Sequence, residues 1–254
     1  MIDPSCILMV WLRDIIRYFR ERSQFYGSLV RPILWLFILG MGLRGSYAGR
    51  LGPDPQTSYT QFIFPGIVAM TAIFTSIQSA ISIIWDREFG FLKEILVAPV
   101  PRTSIAIGKG LAGTTLSLIQ GVIIIALAPL VHVRIPLLNI PLLILVLAVL
   151  SFALTGIGII IAARMTSFQG FGTIMNFVIM PMWFLSGALF PLQNLPWWLN
   201  LLVRANPLTY GVDLVRRLVL GFSFQAPALN VSFLLIFSTL ATGLAVYFFN
   251  RGEY

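Results

Sequence analysis

Long stretches without a single Asp, Glu, Lys or Arg limit how this chain can fold. They run to Trp85 from just after Asp54, in the loop that opens at Leu51, then from Gly110 to Val133, Ile135 to Ala163, Met165 to Val203 and Leu218 to Asn250. A bilayer core about 30 Å thick takes roughly 20 apolar residues of helix to cross, and each stretch is long enough. A sixth, Pro32 to Leu43, is shorter and is extended by Leu29 and Val30. The economical reading is an all-α integral membrane protein with six spans, at 29–43, 61–84, 109–130, 141–163, 171–189 and 229–249. With 10% charged and 58% hydrophobic residues, against about a quarter charged in soluble domains, the chain belongs in lipid.

The charges that remain set a topology. With both termini inside, Arg13, Arg17, Arg20, Arg22, Arg31, Arg87, Lys93, Arg102, Lys109, Arg164 and Arg251 are cytoplasmic. Arg44, Arg50, Arg134, Arg204, Arg216 and Arg217 fall outside. This is the positive-inside bias of a multi-pass protein of a bacterial inner membrane, and it accounts for the net charge of +8 without nucleic acid. The first residues interleave Arg13, Arg17 and Arg20 with apolar positions, so no signal-peptide core is evident and the first span is expected to direct insertion.

Over 5–26, Leu8, Trp11, Leu12, Ile15, Ile16 and Phe19 recur at helical steps opposite Arg13, Asp14, Arg17, Arg20 and Glu21. This predicts an amphipathic helix in the cytoplasmic interface, with its basic face near lipid headgroups, and Pro32 is expected to begin a new helix direction. Gly45, Gly49, Gly52, Pro53 and Pro55 break the external loop 44–59. Between Phe190 and Gly221, turn-formers alternate with aromatic residues. Pro196 and Pro207 suit first helical turns, and Trp197, Trp198 and Tyr210 suit an interface. Two short helices at 195–218 are expected to dip into the outer leaflet. Asp213 and Arg216 are spaced to pair on the second, either stapling it locally or holding an exit closed.

From Asp86 to Arg102, Phe89, Leu92 and Leu96 share one helical face while Glu88 and Glu94 fall elsewhere, and Pro99 and Pro101 end the helix. A helix at 86–97, tied to two spans, could serve as a lever for a soluble partner or be a solvated linker. Within the second span, Thr71, Thr75, Gln78 and Ser82 form a polar stripe. The fifth carries Thr173, Asn176, Met180 and Trp183 in similar register. Such stripes face protein or water in a membrane, yet hydroxyls also commonly join helices. No span core holds a carboxylate, lysine or histidine of the kind ion-coupled transporters keep near mid-membrane. His132 is read as an interfacial loop residue and Cys6 as incidental, and no cluster with metal-ligand spacing occurs.

The run Arg87-Glu88-Phe89-Gly90 through Leu96, Pro99 and Arg102 to Gly108-Lys109 resembles the segment after the second span in permeases of type-2 ABC exporters. So do Phe190-Pro191, Leu195-Pro196-Trp197-Trp198-Leu199, Asn206-Pro207-Leu208-Thr209-Tyr210 and Asp213 to Arg216. The pattern covers nearly the whole chain, and among branches it looks most like the drug-resistance and nodulation-factor permeases. The resemblance implies a coupling helix at 86–97, with Arg87, Glu88, Phe89, Gly90, Leu92 and Leu96 meeting an ATPase. It also implies an external gate built on Pro196, Trp197, Asn206, Pro207, Tyr210, Asp213 and Arg216, and a substrate route between the second and fifth spans. The P-loop pattern is absent, since Gly108-Lys109 is followed by Gly110 and lacks the earlier glycine. The chain is therefore expected to be non-catalytic, with ATP and Mg²⁺ bound by two copies of a soluble nucleotide-binding ATPase. A second permease copy, or a close paralogue, and membrane lipid complete the expected partners. The cargo is expected to be an uncharged or amphiphilic drug, lipid or lipo-oligosaccharide. The alternative is a passive channel or membrane scaffold without ATP coupling.

Overall fold

The computed structural model describes residues 3–43, 57–89, 101–192 and 195–251. The first helix, α1 (Pro4–Arg20), starts where Asp3 Oδ1 accepts from the backbone N–H groups of Ser5 and Cys6, at 2.9 and 3.5 Å. Its last turn carries Arg17 and Arg20 against the negative end of the helix dipole. The chain breaks at Glu21, in the exposed run Arg20–Ser23, and α2 (Arg22–Gly42) follows at once. The expected boundaries at 26 and 29 are thus corrected, and Pro32 begins no new direction because it lies inside α2. A proline forfeits one N–H bond but keeps a helical φ, and membrane helices tolerate it. The polar run at Glu21 is the easier place to turn.

The central helix is α3 (Tyr59–Ser79), opened by a capping box in which Ser58 Oγ accepts from Gln61 N–H and Gln61 Oε1 accepts from Ser58 N–H. Nearly all of it is buried, and after a turn at Ala80 the chain continues as α4 (Ile81–Glu88). Helices α5 (Arg102–Ala126), α6 (Ile140–Ala162) and α7 (Phe168–Phe184) follow, with short 3₁₀ turns at Ala128–Val131 and Leu137–Asn139 between α5 and α6. Two short helices, α8 (Trp197–Ala205) and α9 (Pro207–Leu220), precede α10 (Pro227–Arg251). Around α3 pack α2, α5, α6, α7 and α9, and α10 lies against α6, α5 and α9.

Five helices among the described residues are long and apolar enough to cross a membrane: Arg22–Gly42, Tyr59–Glu88, Arg102–Ala126, Leu137–Ala162 and Pro227–Arg251. The expected span at 171–189 corresponds to α7, which has 17 residues and is roughly 25 Å long at 1.5 Å per residue. It stops early because α9 begins against it. Asn206 Nδ2 donates to Met182 O at 2.6 Å, and Gly187 turns the chain at φ 75°. Gly211 of α9 also meets Leu150, well inside α6, so the bend between α8 and α9 lies within the length of the bundle.

Contacts between ends define two poles. One collects α1, the end of α4, the start of α5 and the end of α10, with Asp3 N–H on Ser104 Oγ at 2.8 Å and Arg102 on Asn250 O at 3.1 Å. At the opposite pole Thr60 bonds Gly40 O at 2.8 Å and Asn139 bonds Leu218 O at 2.8 Å. The sides of α2 and α10 expose Leu34, Ile38, Leu235, Ile236, Leu240 and Leu244, a surface that suits hydrocarbon and not water. Helix spacing in the interior depends on small residues. A Cβ on Gly113 of α5 would lie 2.2 Å from Ser79 Oγ and 2.7 Å from Thr155 Cγ2. Gly113→Val is expected to destabilise the protein by about 1–3 kcal/mol through overpacking, read as a lower unfolding midpoint in detergent, whereas Gly172→Ala, which meets nothing within 4 Å, is expected to leave it unchanged.

Candidate functional site

At the α1 pole the Lys109 ammonium of α5, 1% exposed, is enclosed by partners from α1 and α4. It donates to Asp14 Oδ2 of α1 at 3.1 Å, to Ser82 Oγ of α4 at 2.9 Å and to Asp86 Oδ2 of α4 at 2.6 Å. An ammonium has three N–H donors, and each finds an acceptor. Ser82 in turn donates to Asp14 Oδ2 at 3.2 Å. Arg13 bridges both carboxylates, 3.1 Å from Asp14 Oδ1 and 2.6 Å from Asp86 Oδ2, and Arg17 stands 3.7 Å from Asp86 Oδ1. Burial opposes ionisation of Asp14, but the charges and hydrogen bonds of Lys109 and Arg13 overcome it and hold the carboxyl below its ordinary value.

This clasp corrects two expectations. The charged face of α1 turns into the protein, and the face bearing Leu8, Met9, Leu12, Ile16 and Phe19 is exposed. Lys109 does not mark the start of a span, because α5 begins at Arg102 and carries it well into the helix.

Next to the clasp lies a cavity of about 350 Å³ between α1, α2, α3, α5 and α7. It brings together Thr71, Thr75 and Gln78 of the α3 stripe with Asn176 of α7. Sequence reasoning missed the α2 wall, formed by Ser23, Gln24, Gly27, Ser28 and Arg31. The only signal for it was the spacing of small and polar residues before Pro32. A buried chain of hydrogen bonds closes one side: the Thr75 hydroxyl donates to Gln120 Oε1, and the Gln120 amide donates to the Tyr18 and Ser28 hydroxyls. Thr71 bonds back to Ile67 O at 3.0 Å. The amides of Gln78 and Asn176 have no side-chain partner among the described residues. A small void of about 30 Å³ separates the cavity from the clasp, and Tyr18, Gln24, Ser79 and Leu116 border both spaces.

Four residues of the predicted stripes lie elsewhere. Ser82 is one turn too far along and belongs to the clasp. Trp183 is fully buried, donating its indole N–H to Gly66 O at 3.1 Å with its ring against Trp35. Thr173 is exposed and bonds Gln169 O, and Met180 is half-buried outside the cavity lining. Of the segment expected to meet an ATPase, Gly90, Leu92 and Leu96 lie outside the described residues. Glu88 and Phe89 are exposed, with Phe89 stacked on Trp85. Arg87 turns inward, donating to Met165 O at 2.5 Å and Ala163 O at 3.1 Å, and so holds the α6–α7 connection.

At the opposite pole Asn206 caps α9 through Leu208 N–H, Pro207 opens that helix and the Tyr210 hydroxyl donates to Arg204 O at 2.8 Å. Pro196 and Trp197 are exposed. Asp213 accepts from Phe224 N–H, Gln225 N–H and Asn230 Nδ2, at 2.9, 3.0 and 2.8 Å. Arg216 stands 3.6 Å from Asp213, donates to Gly187 O at 2.5 Å and lies between the rings of Phe62 and Phe224. His132 is exposed at φ 59°, its carbonyl accepting from Gln61, and Cys6 is half-buried.

The described residues form a helical bundle with five helices long and apolar enough to cross a membrane, a charged clasp at one pole and a polar cavity beside it. The family model described as ABC-2 type transporter matches residues 5–220. A putative transport permease, ycf38 of Porphyra purpurea, is 35% identical over 210 residues, covering 80% of this chain and 70% of the relative. Nodulation protein J of Rhizobium leguminosarum bv. viciae is 28% identical over 236 residues, covering 91% and 88%. A probable multidrug ABC transporter permease, YbhR of Escherichia coli (strain K12), is 29% identical over 197 residues, covering 76% and 53%. The chain belongs to the ABC-2 type transporter family.

The clasp makes two measurable statements. Lys109→Met removes the most buried cation of the clasp and leaves Asp14 and Asp86 to Arg13 and Arg17, and it is expected to cost about 1–3 kcal/mol, read as a lower unfolding midpoint. Because Asp14 is held below its ordinary value of 3.8, its contribution is complete above that value and is lost as pH falls through the depressed folded value. Thermal unfolding across acidic pH is therefore expected to fall more steeply below pH 3.8 for the natural chain than for Asp14→Asn.

Proposed function

We propose that the chain is the membrane subunit of an ATP-driven exporter, moving an amphiphilic or lipid-like substrate outward by alternating access while a separate soluble subunit hydrolyses ATP. The observation that carries this reading is the contiguity of cavity and clasp through Tyr18, Gln24, Ser79 and Leu116. Asp86 is the first residue of segment 86–97, the expected ATPase contact, and is ion-paired to Lys109 and Arg13. A push on that segment therefore displaces α1, and α1 carries Tyr18 into the cavity wall. Nucleotide binding shifts the equilibrium only so far as the ATPase grips one arrangement more strongly than the other.

ATP and Mg²⁺ belong on the partner in this reading, since the chain lacks a P-loop pattern. Two permease copies and two ATPase copies make the working unit, set in a bacterial inner membrane with both permease termini cytoplasmic. The names of two relatives, nodulation protein J and a probable multidrug ABC transporter permease, fit export. The pairing of Asp213 and Arg216 near the opposite pole supports an outer gate that opens as one piece with α9.

The test is co-purification of the full chain with an ATPase encoded beside its gene, followed by reconstitution in vesicles. Glu88→Ala and Leu92→Asp are expected to lower assembly with the ATPase and abolish ATP-dependent export. Gln78→Leu and Asn176→Leu are expected to preserve assembly while changing which amphiphiles stimulate ATP hydrolysis. A chain that recruits no ATPase and conducts without ATP is a passive channel or scaffold, and that result overturns the reading.

A further inference from the structure

We infer that the cavity beside the clasp takes an amphiphile with an anionic head, and that Arg31 is the residue that reads its charge. The inference rests on the proposed function only in taking the cavity to be a ligand site. Arg31 lies inside α2 because that helix begins at Arg22 and not near Leu29. A residue expected to be a flanking, topology-setting charge is thereby carried into the span and onto the cavity wall.

Its guanidinium carbon stands 4.5 Å from the Phe74 ring centroid, and it makes no hydrogen bond or ion pair to any other described residue. No Asp or Glu is among the described residues lining the cavity. The buried cations of the bundle are answered, Lys109 by Asp14 and Asp86 and Arg216 by Asp213, and the half-buried Arg87 by two carbonyls. The Arg31 guanidinium is exposed at the cavity mouth with the Phe74 ring against it. Its N–H donors can therefore meet an anion without breaking a bond already made.

The surroundings suit the rest of such a molecule. The unpartnered amides of Gln78 and Asn176 offer donors to phosphate, carboxylate or headgroup hydroxyls, and Met70, Phe74 and Ile179 supply an apolar wall. A volume of about 350 Å³ holds a head and the first methylenes, near the small end of ligand pockets. Leu34 and Ile38, exposed on the same face of α2 as Arg31, continue the apolar surface along which tails would leave. Of the expected uncharged or amphiphilic cargo, the inference takes the amphiphilic kind and adds an anionic head.

The probe is a phosphatidic acid with a photoactivatable group near the glycerol end of one acyl chain, added in trace amounts to the full chain in neutral detergent with excess phosphatidylcholine. Labelled peptides are mapped by mass spectrometry. Label is expected on peptides around Arg31 and Phe74. Unlabelled phosphatidic acid should compete at about tenfold lower concentration than phosphatidylcholine, the discrimination set by one charge-assisted contact. Arg31→Gln is expected to abolish that preference and Arg31→Lys to retain it. Arg20→Gln, on the exposed end of α1, should leave it unchanged.

Equal competition by phosphatidylcholine, or a preference that survives Arg31→Gln, overturns the inference. So does competition by millimolar inorganic phosphate as strong as by phosphatidic acid, since the site would then read a free anion and not an amphiphile. Loss of label that accompanies dissociation of permease copies in light scattering also overturns it, because Arg31 would then pair with a second copy. The assay needs neither ATP nor an ATPase, so its failure leaves ATP-driven export standing, and failure of export leaves the labelling result standing.

Discussion

A lysine ammonium removed from water needs an acceptor for each of its three protons and countercharge near at hand. Lys109 finds both, and to do so it draws together α1, α4 and α5. Because Asp14 must reach inward, the polar face of α1 is turned to the protein and its apolar face to lipid. Because α1 ends at Arg20, α2 departs at Arg22 and forms one wall of the cavity. Buried ion pairs are weak evidence of net stability, since desolvation offsets much of their attraction. What they enforce is joint occupancy, because no member can leave alone without stranding the others.

The spans were legible because their signal is bulk hydrophobicity over a bilayer's thickness, which needs no knowledge of partners. Helix α6, expected at 141–163, runs from Ile140 to Ala162, and α10, expected at 229–249, from Pro227 to Arg251. Boundaries failed where helices run on past lipid, as α5 does back to Arg102, and where an uncharged stretch hides a turn, as at Gly187 after α7. The clasp was illegible because Asp14, Asp86 and Lys109 lie far apart in sequence and each alone reads as an interfacial charge. The α3 stripe was half right for a geometric reason. Thr71, Thr75 and Gln78 face the cavity in register, but Ser82 follows the turn at Ala80 and falls at the level of the clasp. Trp183 was misplaced because its polar N–H concealed that the large ring is core, with Gly66 O as its partner.

The two poles are held by different kinds of contact. At the α1 pole, side chains of separate elements grip one another, so relative movement of α4 and α1 must break ion pairs. Near the opposite pole Asp213 and Arg216 belong to one helix, and their remaining bonds go chiefly to backbone groups of the adjoining turns, Phe224, Gln225 and Gly187. Those bonds fasten α9 to the start of α10 and to the turn after α7, so this region moves as a unit. The clasp, by contrast, ties α1 to α4 and opposes their relative displacement.

Polar groups inside a membrane bundle are costly unless used, so how each is used separates structure from ligand binding. Thr71 spends its hydroxyl on its own helix, and Thr75, Gln120, Tyr18 and Ser28 satisfy one another. Ser82 and Lys109 are consumed by the clasp. Among the polar side chains of the cavity wall without a hydrogen bond to another described residue are Gln78, Asn176 and Arg31, from three different helices. Helix packing does not use these three, and their donors and acceptors are left for a ligand to meet.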